Sequence, residues 1–104
     1  MKTSELVARG RDELAKGWCQ HQYEDTDGNV CAIGALRRVA PNQLGGYLGR
    51  GETYFNACVA INAKSYEMFG YGDASLFNDQ ETTTKQDMLD LFDKTIIGLE
   101  EKGL

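Results

Sequence analysis

The residues of this chain best suited to chemistry are three cysteines and a single histidine. Cys19 and His21 stand two apart, so on an extended strand both would project from one face, and Cys31 follows just beyond an Asp-rich turn. That grouping invites two chemistries. In a nucleophile site, His21 would lower the thiol pKa of Cys19 while Asn78 or Asp79 orients the imidazole, the logic of a cysteine-hydrolase triad. Nothing in the sequence supplies an oxyanion hole. In a metal site, Cys19, His21 and Cys31 would be ligands with Cys58 as a fourth, yet the chain has neither the tight Cys-x-x-Cys nor the His-x-x-x-His pair typical of zinc. Against both stands the plain alternative that the thiols behave as small buried hydrophobes, and Cys58, inside an apolar helical stripe, is read as core. The balance favours no metal and no cofactor, with a small enzyme or metal site on Cys19, His21 and Cys31 kept as the alternative.

Other motifs are weaker. Asp25, Asp27 and Asn29 alternate as the first ligands of a calcium loop do, but Val30 replaces the required glycine and Leu36 the terminal glutamate, which excludes an EF-hand. Gly45, Gly46 and Gly49 lack the lysine and hydroxyl residue of a phosphate-binding loop, so the stretch reads as a flexible loop. Tyr47, Leu48, Tyr54 and Tyr71 lie in or beside glycine-rich segments, where large side chains are hard to bury and where interface residues concentrate. Tyr47, Leu48 and Tyr54 are therefore the candidate partner-binding residues.

The elements that must position these residues are mostly helical. Thr3 or Ser4 can cap a first helix with Leu6, Val7, Leu14 and Ala15 on its apolar side, stopped by Gly17. The run Asp25-Thr26-Asp27-Gly28-Asn29 is a turn signal and predicts a small β-hairpin. Val30 to Ala40 then reads as a short second helix ended by Pro41. A third helix, capped by Thr53 and running to about Phe69, carries Phe55, Cys58, Val59, Ile61, Tyr66, Met68 and Phe69 and is expected to be central. Gly70 and Gly72 break it, Leu76-Phe77 leads into a polar turn at Asn78-Asp79, and Thr84 with Asp87 opens a last helix with Met88, Leu89, Phe92, Ile96 and Leu99 inward.

Composition sets the outer bounds. A chain of 104 residues with 41% apolar and 26% charged residues is expected to fold alone as one domain, residues 1–104, around one core. A formal charge of −5 repels phosphate backbones and anionic lipid, so neither nucleic acid nor membrane is an expected partner. The first residues lack the basic-then-apolar order of a signal peptide, no apolar run is long enough to span a bilayer, and the odd cysteine count argues against a disulfide-stapled secreted fold. A cytoplasmic location is expected.

Three blocks carry a resemblance. Gly17-Trp18-Cys19-Gln20, then Asp27-Gly28-Asn29-Val30-Cys31-Ala32-Ile33-Gly34-Ala35-Leu36, then Phe77-Asn78-Asp79 with Thr84 and a C-terminal helix, resemble the domain-of-unknown-function family 6197 of actinobacteria and their phages. Phe77 departs from the tryptophan that usually precedes the Asn-Asp pair in that family. The resemblance implies a bacterial or phage origin and carries no activity. The fold expected is mainly α, or α+β, a bundle of about four helices with a hairpin between the first two. The function expected is a non-catalytic protein-binding or accessory module that engages a host or bacterial protein or a second copy of itself. The sequence alone leaves that function open.

Overall fold

The Thr84 hydroxyl accepts a hydrogen bond from the Asp87 amide at 3.1 Å, and the Asp87 carboxylate accepts one from the Thr84 amide at 2.9 Å. The expected capping box thus opens the last helix and satisfies two amides that would otherwise be left unpaired at its end. In this computed structural model, residues 1–40 and 51–104 are described. They form five helices: α1 (Thr3–Lys16), α2 (Ala32–Val39), α3 (Gly51–Phe69), α4 (Ala74–Asn78) and α5 (Lys85–Glu101). The architecture is mainly α, as expected, with one helix more than predicted. The extra one is α4, a single turn where Leu76 and Phe77 were read as leading into a turn. The Asp73 carboxylate caps it by accepting from the Ser75 amide.

The central helix is α1, not α3. It packs against α5, α2 and α3, with Leu6, Val7 and Leu14 wholly buried. Gly10 makes this closeness possible, since a methyl group there would press on Leu36 of α2 and Phe92 of α5. The physical reason α3 is displaced from the centre lies in its own pattern. Tyr54, Ala57, Ile61 and Ser65 form its buried stripe, whereas Phe55, Val59 and Tyr66 point away from the bundle. On α5, Met88, Leu91, Phe92 and Leu99 are buried, and Leu89 and Ile96 pack partly against them. Each fully buried leucine is worth roughly 1.5–3 kcal/mol of transfer free energy before chain entropy is counted.

The expected β-hairpin between α1 and α2 does not form. Among the described residues there is no sheet, only two single bridges, Trp18 to Val30 in parallel and Glu24 to Val30 antiparallel. His21 explains the difference. Its φ of 71° reverses the chain, so residues 18–24 wrap around Val30 and flank it on both sides. The turn itself is present in another form: the Asp25 carboxylate accepts from the Asp27 and Asn29 amides and from the Asn29 side chain, while Gly28 takes a φ of 84°.

Two helix starts also differ in detail. No side chain caps α1, because Thr3 and Ser4 lie inside it and Lys2 occupies the cap position. Thr53 lies inside α3 and does not cap it. Gly17 does end α1, and Gly70, at φ 82°, follows the end of α3. No helix among the described residues is long and apolar enough to cross a membrane.

Candidate functional site

Asn78, the last residue of α4 and wholly buried, joins three parts of the chain. Its Oδ1 accepts from the Trp18 indole N–H at 2.9 Å and from the Ala32 amide, at the start of α2, at 3.1 Å. Its Nδ2 donates to the Cys19 carbonyl at 3.2 Å and to Asp79 Oδ1 at 3.0 Å. All four hydrogen-bonding positions of the amide are used. Two neighbours add to the junction. Gln20 Nε2 donates to the carbonyls of Asn78 and Gln80, at the C-terminal end of α4, and Asp79 Oδ1 accepts from the His21 amide at 2.9 Å. The loop 18–21 is thereby fastened residue by residue to 78–80.

This fastening places His21, Gln22, Tyr23, Cys31, Ser75 and Asp79 around a shallow cleft of about 220 Å³. Three of the expected site residues, His21, Asp79 and Cys31, therefore line one depression, while Asn78 lies beneath as its support. Cys19 does not line it. Because the chain turns at His21, Cys19 and His21 are not neighbours on a strand face. The single S–H of Cys19 instead has two carbonyl acceptors within reach, Gln22 at 3.6 Å and Asn29 at 3.4 Å. Burial, and then the nearby Asp25 carboxylate, push its pKa up. Cys31 caps α2, its sulfur accepting from the Gly34 amide at 3.3 Å, and burial raises its pKa as well. Both shifts favour the neutral thiol, the opposite direction from an activated nucleophile. Among the described residues, no group of three His, Cys, Asp or Glu side chains is placed to hold a metal ion. Cys58 sits apart on α3, partly buried with its thiol pKa raised by burial.

The aromatic position before the Asn-Asp pair is structural. Phe77 stacks on Phe69 with ring centroids 4.0 Å apart and is nearly buried, so it contributes packing between α3 and α4.

Of the expected partner-binding residues, Tyr47 and Leu48 lie outside the described residues. Tyr54 is corrected by the structure: it is 9% exposed, on the core stripe of α3, since its position one turn before Ala57 and two before Ile61 turns it inward. The exposed large residues of α3 are its neighbours in sequence, Phe55 at 64%, Val59 at 51% and Tyr66 at 67%. With exposed Ala63 they follow spacings of four, four and three residues, a single stripe on the side turned from the core. The sequence reading counted these residues into one broad core surface. The signal that separates them is a second helical repeat, offset from Tyr54, Ala57, Ile61 and Ser65.

A model of the family of unknown function DUF6197 matches residues 1–97. The chain belongs to this family. In this DUF6197 member, the Trp-Cys-Gln, Val-Cys-Ala and Asn-Asp blocks are the ones that converge on Asn78. No curated protein and no solved structure matches the chain.

Proposed function

We propose that this protein is a small non-catalytic binding module of bacterial or phage origin, acting in the cytoplasm and engaging its protein partner through the outer face of α3. The observation that carries this reading is the stripe of Phe55, Val59, Ala63 and Tyr66, three large apolar side chains aligned on one helix and more than half exposed. Isolated exposed apolar residues are ordinary, whereas an aligned row ending in two aromatics has the composition of an interface. The thiols of Cys19 and Cys31 lend no support to a nucleophile site, since each is engaged in hydrogen bonds and burial pushes its pKa up.

The test is photo-crosslinking in bacterial cells with p-benzoylphenylalanine at position 59, and at exposed Arg9 on α1 as the control. The expected result is an adduct of defined mass from position 59 that position 9 does not give. Equal adducts from both positions, or none from 59, would overturn the reading.

A further inference from the structure

We infer that the occupant of the α3 face is a second copy of this chain, packed through an antiparallel α3–α3 contact about a two-fold axis midway between Val59 and Ala63, on the exposed side of the helix. The inference rests on the binding-module reading above and names its partner.

The spacing of the stripe is self-complementary. A two-fold axis at this point brings residues whose numbers add to about 121 to 123 opposite one another. Phe55 then faces Tyr66 of the second copy, and Val59 faces its Ala63. Each end of the contact pairs two aromatic rings, and the middle sets a small residue against a medium one, which lets the helices approach closely. The same register sets Glu67 near Asn56 of the other copy, a carboxylate facing an amide that can donate to it. Glu52, at the end of the stripe, meets the exposed Gly70, where there is open space. The nearest like charges are Glu52 and Glu67 of the other copy, within one turn of each other at each end, where the Lys64 ammonium, 3.0 Å from Glu67, offsets the carboxylate, and the two helix dipoles oppose.

The area decides how strong such a contact is. At roughly 150–250 Å² per aromatic side chain, the exposed parts of Phe55 and Tyr66 with Val59 offer on the order of 350 Å² from each copy. The flanking Asn56, Ala60, Ala63 and Glu67 raise this to at most about 500 Å² a side, or about 1,000 Å² in all, the lower limit for a specific interface. A helix of 19 residues is about 28 Å long, long enough to carry that contact. The dimer is accordingly weak and concentration-dependent.

Sedimentation equilibrium from micromolar to millimolar protein tests the inference, with Val59→Lys and Phe55→Ser as variants and circular dichroism to verify that both remain folded. The expected result is a reversible monomer–dimer equilibrium whose dissociation constant rises at least tenfold in both variants with helix content unchanged. A chain that stays monomeric throughout, or a dimer that Val59→Lys leaves intact, would overturn it. If the chain is monomeric yet position 59 still crosslinks to another protein, the second copy is excluded and the binding-module reading survives; if both experiments fail, both readings fall.

Discussion

Asn78 concentrates more structural consequence than any other side chain described. Replacing it with alanine leaves the Ala32 amide and the Cys19 carbonyl without their partner and strips the Trp18 indole of its acceptor. Buried groups left unpaired cost about 1–3 kcal/mol each, less where water reaches them, so Asn78→Ala is expected to lose about 2–4 kcal/mol in chemical denaturation. A loss below about 1 kcal/mol would show that the junction is peripheral to stability. The cysteines give a second expectation at this scale. Since both Cys19 and Cys31 have thiol pKa values raised by burial, iodoacetamide near neutral pH should alkylate neither faster than free cysteine. Accelerated alkylation of either would restore the nucleophile reading. The identities of His21, Cys31, Asn78 and Asp79 as interesting residues were legible in the sequence, because few residue types do chemistry and these were present. The nearness of His21 to Cys31 and Asp79 was legible too, whereas the separation of Cys19 from that cleft was not, because it depends on a left-handed turn at His21 that no local pattern of apolar residues encodes.

Among the elements, the segment linking α1 to α2 shows how a turn signal and a hairpin differ. Asp25, Gly28 and Asn29 form the turn that their residue types favour, but a hairpin also needs two runs that stay straight beside each other, and residues 18–24 do not. Gly34 belongs to the same arrangement: a methyl group there would collide with the Tyr23 carbonyl, so the loop lies directly on α2. Hydrogen bonds from the Asn29 side chain and from backbone amides hold the Asp25 carboxyl below its ordinary pKa. The ionised form is therefore the one the turn prefers. Its contribution is complete above the unfolded carboxylate value near ~4 and is lost as the pH falls through the lower folded value. In an NMR titration the Asn29 and Asp27 amides should move together with a midpoint below ~3.9, and Asp25→Asn should abolish that transition. A midpoint at or above the ordinary value would contradict the turn geometry.

At the level of the whole molecule, helical class and the Thr84 capping box were readable because periodicity and caps are local signals. The order of packing was not. An apolar helix can turn its residues to a core or to a partner with the same composition, and only the angular offset between Tyr54, Ala57, Ile61, Ser65 and Phe55, Val59, Tyr66 separates the two. Ion pairs then tie the layers together. Arg11 of α1 meets Asp93 of α5 at 2.9 Å, and Arg38 of α2 reaches both Glu13 of α1 and Glu24 of the loop. These contacts are partly exposed, so they orient the helices more than they stabilise them.

The chain contains one tryptophan, and its indole N–H is bonded to the Asn78 side chain. Tryptophan emission, excited beyond the absorption of the five tyrosines, therefore watches a single junction, while far-ultraviolet dichroism watches the helices as a body. Recorded together during melting, the two signals form a built-in clock for the order of events: superimposed curves mean that the loop and the bundle let go at once, and an early emission change means that the loop comes away from Asn78 while the helices stand.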